Sequence, residues 1–95
     1  MDLQITETVL DVIKKTIKDD SENQVNMEFV DTIGMDTTLA QLHLSSLLFI
    51  KIITNIELRL EIEFEYEMLD MKQFDIISSI VSYAEKKVKN NFVTH

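Results

Sequence analysis

Between Asp2 and Lys18 the apolar residues Leu3, Val9, Leu10, Val12, Ile13 and Ile17 recur mostly three or four positions apart, which gathers them on one side of an α-helix. Lys14, Lys15 and Lys18 fall toward the end of the segment, where cations suit the helix dipole. The pattern predicts a first helix over about 2–18. The polar, turn-forming DDSENQ follows at 19–24, and no sustained helical period returns before Leu44. We read 19–45 as a long ordered loop that packs on the helices through Val25, Met27, Phe29, Val30, Ile33, Met35, Leu39 and Leu42.

From Ser46 the pattern changes. Phe49, Ile52, Ile53, Ile56 and Leu60 make one inward stripe at about 100° per residue, predicting a second helix over about 46–60. The opposite side carries Leu47, Ile50, Lys51, Thr54 and Leu58, more apolar than a solvated face requires, so something should cover it. Two serines stand at the head of this helix. Serine is a preferred N-cap, but capping needs only one of Ser45 and Ser46. The reciprocal capping box is absent, because Leu48 and Phe49 occupy the positions where its Glu or Gln would stand.

The stretch LRLEIEFEY, 58–66, alternates apolar and charged residues, the signature of a half-buried strand. VNMEF, 25–29, alternates in part, so on pattern alone a two-stranded α+β arrangement stays open, although an isolated strand pair is marginal in water. YEMLDM, 66–71, reads as a short helical turn. Phe74, Ile77, Ile80, Val81, Ala84 and Val88 then predict a last helix over about 75–89, with Asp75 helping to cap it and KKVK closing it. NNFVTH, 90–95, reads as a frayed tail.

Ninety-five residues fit a single domain. Seventeen acidic residues against nine basic ones give a net charge of −8, which repels phosphate backbones and argues against nucleic acid as a partner. No cysteine is present, so any thiol chemistry must use an imported thiol. The acidic start and the lack of a long apolar run point to a cytoplasmic protein without a membrane span.

Most chemical motifs fail on inspection. Asp19, Ser21 and Asn23 resemble the opening of a calcium loop, but Gln24 and Val30 stand where glycine and the closing glutamate belong. Two histidines and scattered carboxylates offer no metal spacing. His43 precedes Ser46 by three residues, yet no nucleophile elbow or glycine-rich oxyanion loop accompanies them, so no catalytic residue is assigned. The glutamates at 57, 61, 63, 65 and 67 read as a solvated face.

The segment DTTLAQLHLSSLLFIKIITNIELRLEIEF, 36–64, resembles the signature region of acyl and peptidyl carrier proteins of the stand-alone type, and the likeness extends over essentially the whole chain. Asp36, Leu39 and Leu42 match the family's approach to its second helix, Leu44 its variable apolar position, and Ser46 followed by Leu47 its modified serine and neighbour. Two positions depart: His43 stands for the usual glycine and Ser45 for the usual aspartate or asparagine.

The resemblance implies an all-α, four-helix carrier bundle with a long first loop and a short third helix. It also implies a 4′-phosphopantetheine arm on Ser46, transferred from coenzyme A by a phosphopantetheinyl transferase, whose thiol carries an acyl or aminoacyl group. The carrier itself catalyses nothing. Acyl- or aminoacyl-loading and condensing enzymes would meet a monomeric carrier through Ser45, Leu47, Ile50, Lys51, Thr54 and Leu58. An unmodified carrier-like adaptor that binds partner proteins through the second helix is the rival expectation.

Overall fold

The computed structural model describes residues 3–20 and 27–93. Its α-helices are α1 (Leu3–Asp19), α2 (Met27–Asp31), α3 (Leu39–Leu42), α4 (Ser46–Leu60) and α5 (Ile77–Val93), with 3-10 turns at Tyr66–Leu69 and Met71–Gln73. Among the described residues there is no strand, only an isolated antiparallel bridge between Thr38 and Ile76. The fold is therefore all-α, and the two-stranded alternative is set aside.

α1 packs along α4 and also meets α5 and α2. Its inward side is Ile5, Val9, Val12, Ile13 and Ile17, joined by Thr16. Leu3, read as part of that stripe, is 70% exposed, because it stands at the helix start, beyond the core it would need to touch. α4 contributes Leu48, Phe49, Ile52, Ile53 and Ile56, while α5 supplies Ile77, Ile80, Val81 and Ala84. Leu60, at the end of the α4 stripe, is half-buried against this core.

The segment read as a loop over 19–45 contains α2 and α3. Helices of five and four residues are too short to display a repeating apolar stripe, so periodicity passes over them. α3 is held instead by its ends. Gln41 N–H donates to Thr38 Oγ1 at 3.3 Å and Thr38 N–H donates to Gln41 Oε1 at 2.9 Å, a reciprocal capping box. Val30, Ile33, Leu39 and Leu42 of this region are buried, with Phe29 and Met35 partly so. Ser21, Asn23, Gln24 and Val25 lie outside the described residues, as do Thr94 and His95.

The alternating stretch splits in two. Residues up to Leu60 are helical, Glu61 turns the chain in a left-handed conformation (φ 55°, ψ 46°), and an extended strap follows over 62–65. Ile62 and Phe64 point inward while Glu61, Glu63 and Glu65 face solvent, so the period of two is real even though no second strand among the described residues pairs with it. Phe64 and Phe74 meet Tyr83 of α5, with ring centroids 4.7 and 6.0 Å from the Tyr83 ring.

α5 starts at Ile77, which leaves Asp75 one residue ahead of the cap position; its carbonyl instead accepts from Leu39 N–H at 3.0 Å. The helix also runs on to Val93, through most of the segment read as a tail. Among the described residues, no helix is long and apolar enough to cross a membrane, and no group of three or more His, Cys, Asp or Glu could hold a metal ion.

Candidate functional site

The start of α4 is built by three consecutive backbone decisions. α3 stops at His43, which adopts a left-handed conformation (φ 51°, ψ 43°) with its N–H on the Ala40 carbonyl. Leu44 then turns partly into the core. Ser45 is extended (φ −75°, ψ 161°) and forms the N-cap: its Oγ accepts from Leu48 N–H at 3.1 Å and its carbonyl accepts from Phe49 N–H at 3.0 Å.

Ser46 is therefore the first residue of the helix. It is exposed, and its hydroxyl has no hydrogen-bond partner among the described residues. The first-turn N–H groups of Ser46 and Leu47 have no intrahelical acceptor by the geometry of any helix start, so an oxyanion on Ser46 would sit at the positive end of α4. Among the described residues, no hydrogen bond joins exposed His43 to either serine. The hydroxyl is available for modification, without a base of its own.

Below it runs the outer side of α4. Leu47 is 65% exposed and Leu58 73%, Lys51 and Thr54 are exposed, and Ile50 is half-buried against the core. Ile50, Lys51 and Thr54 border a cleft of about 360 Å³ with Thr16, Asp19, Asp20 and Asn55. Leu58 borders an adjoining cleft of about 300 Å³ with Val12, Lys15 and Arg59. Asn55 Nδ2 donates to Thr16 Oγ1 at 3.0 Å across the seam, and Arg59 reaches Asp11 at 3.5 Å. The sequence reading named the outer residues of α4 but missed Thr16 and Asn55. The available signal was Thr16 itself, a polar residue inside the apolar stripe of α1.

The groups with perturbed titration lie elsewhere. The Lys18 ammonium, 2.7 Å from Asp31, holds that carboxyl below the usual aspartate value. Lys87, 3.0 Å from Glu65, likewise lowers the Glu65 carboxyl and is itself raised. Neither pair belongs to the serine site.

No family model, no curated protein and no solved structure matches the chain.

Proposed function

We propose that the protein is a non-catalytic acyl or aminoacyl carrier whose cargo rides on a 4′-phosphopantetheine arm attached to Ser46. The observation that carries this reading is the division of labour between adjacent serines. Ser45 takes the cap, leaving Ser46 exposed and, among the described residues, without a hydrogen-bond partner at the positive end of α4.

The two departures from the carrier pattern are compatible with that reading in backbone terms. His43 occupies a left-handed position, the conformation that glycine adopts at least cost. Ser45 caps α4, and serine, aspartate and asparagine are near-equivalent caps. In the carrier reading α1, α4, the 3-10 turns and α5 correspond to the four helices, and α2 and α3 to short helices within the first loop.

In the loading reaction, Ser46 Oγ would form a bond to the pantetheine-bearing phosphorus of coenzyme A while the pyrophosphate P–O bond breaks. Adenosine 3′,5′-bisphosphate leaves and the hydroxyl proton passes to a base of the magnesium-dependent transferase. The arm, once attached, supplies the thiol that this cysteine-free chain lacks. Loading and condensing enzymes would dock on Leu47, Ile50, Lys51, Thr54 and Leu58. Lys51 among apolar neighbours resembles carriers of nonribosomal peptide or polyketide assembly more than the acid-lined carriers of fatty-acid synthesis. The working form is a cytoplasmic monomer.

Exposure of Leu47 and Leu58 also favours a second reading, an unmodified adaptor, since a docking face needs no arm. Intact-protein mass after incubation with coenzyme A and a broad-specificity phosphopantetheinyl transferase separates the two. The carrier gains one phosphopantetheine, retained in Ser45→Ala and lost in Ser46→Ala. No gain on the unmutated chain leaves the adaptor, and loss only in Ser45→Ala moves the attachment to the other serine.

A further inference from the structure

A groove of about 430 Å³ lies between α5 and the 3-10 turns and shares no residue with α4. Ser78, Ser82 and Lys86 stand in an i, i+4, i+8 row on the helix side, with Ser79 and Tyr83 in the row beside it. At 1.5 Å per residue the first row spans about 12 Å. Met68, Gln73 and Phe74 form the facing wall. Phe74 is buried, and the Tyr83 hydroxyl is engaged by Glu65 N–H, so what Tyr83 offers the groove is its ring.

The polar groups of this groove are unspent. A helical serine can return its hydroxyl to the carbonyl one turn back, yet among the described residues the hydroxyls of Ser78, Ser79 and Ser82 have no hydrogen-bond partner, and neither has the Gln73 side-chain amide. The helix backbone does not compete for a ligand there, because Ile77 N–H is held by the Thr37 carbonyl at 2.9 Å and Ser78 N–H by the Met35 carbonyl at 3.0 Å. Lys86 forms no ion pair among the described residues, whereas its neighbours Lys87 and Lys89 are each 3.0 Å from a glutamate, Glu65 and Glu85. On a chain of net charge −8, Lys86 is the one charged residue lining this groove among the described residues. Asp75 stands at the far end of α5, about 16 Å along the axis from Lys86.

We infer that this groove binds a small amphipathic anion, a carboxylate carried on a short apolar body. The carboxylate meets the Lys86 ammonium and the Ser82 hydroxyl, and the body lies on Phe74, Tyr83 and Met68. A single lysine matches a single negative charge, which favours a carboxylate over a doubly charged phosphate. A few convergent donors beside an apolar floor are the usual make-up of a small-molecule site. The site stands whether or not Ser46 carries an arm.

The test titrates the unmodified, isotopically labelled full chain by two-dimensional NMR with 4-phenylbutanoate and, in parallel, with 4-phenylbutylamine, which keeps the body and reverses the charge. The acid gives saturable shifts at Gln73, Ser78, Ser82 and Lys86 with a Kd on the order of 1 mM, the scale for a ligand of roughly a dozen non-hydrogen atoms. The amine leaves those signals in place. Lys86→Met, at an exposed position, weakens the acid roughly fivefold, while Lys72→Met, outside the groove, leaves it unchanged. Equal shifts from acid and amine would reduce the groove to an apolar surface and overturn the site. Shifts centred on the α1–α4 seam, an equal loss in Lys72→Met, or no saturation at about ten times the expected Kd would each overturn it as well. None of these outcomes bears on the mass gain at Ser46, which tests the carrier reading by itself.

Discussion

α4 and the strap that follows it solve the same problem by different means. Both turn apolar groups inward, Leu48, Phe49, Ile52, Ile53 and Ile56 from the helix at its own period, Ile62 and Phe64 from the strap at every second residue. The helix closes its own backbone ladder. The strap has no neighbouring strand among the described residues, and its N–H groups borrow acceptors: Ile62 uses the Glu57 carbonyl at 3.1 Å, Phe64 the Glu57 carboxylate at 2.7 Å and Glu65 the Tyr83 hydroxyl at 3.1 Å. An alternating pattern thus states which side chains turn inward and leaves open what satisfies the backbone.

The sharpest break of this comparison is Phe64→Ala. If the strap is as much part of the core as α4, the change costs about 3–5 kcal/mol, readable in chemical denaturation. A loss under about 1 kcal/mol would make the strap a mere connection. Next comes Glu57→Ala, which strands the Phe64 N–H in a part-buried place and should cost about 1–3 kcal/mol. Tyr83→Phe removes the acceptor of Glu65 N–H together with the hydroxyl's interaction with Lys87 and keeps the ring contact with Phe64, so about 1 kcal/mol is expected in the same measurement.

The smallest effect concerns charge. Lys87 holds the Glu65 carboxyl below its ordinary value, first through their hydrogen bond and then through its charge. A carboxyl lowered in the folded state contributes stability above the ordinary glutamate value, about pH 4.3, and loses it as the pH falls through the lowered value. Lys87→Met should therefore raise the Glu65 midpoint in an NMR titration and make the acid-side fall in stability shallower. An unmoved midpoint would mean that the ion pair leaves the strap untouched.

The legible parts of the chain were those with long repeats. α1, α4 and α5 each carry an apolar stripe over several turns, and the all-α class follows from them. α2 and α3 carry too few residues for a period, although the T-x-x-Q spacing of Thr38 and Gln41 marked the start of α3. The final residues of α5 lack an apolar rhythm in NNFV, so periodicity ends the helix earlier than the backbone does. At the site, the apolar pattern alone left two equivalent hydroxyls and the carrier resemblance chose Ser46; the bond from Leu48 N–H to Ser45 Oγ adds a structural difference between them. The Asn55–Thr16 pair was beyond reach, because its members stand 39 residues apart and nothing local couples them.

The left-handed residues have a consequence for which hydroxyl is offered to solvent. The chain has no proline, and its one glycine, Gly34, is not at positive φ; the two positive-φ positions among the described residues, His43 and Glu61, fall just before α4 and just after it. Each spends roughly 1–2 kcal/mol to bend backward where an L-residue resists. They act as punctuation, fixing where the helix is read from. Were α4 to slide one residue toward its N-terminus, Leu44 would inherit the cap without an oxygen to serve it, and Ser45 would become the outward group. The reading frame of α4, held by a histidine and a glutamate in glycine's conformation, is what keeps Ser46 in its place.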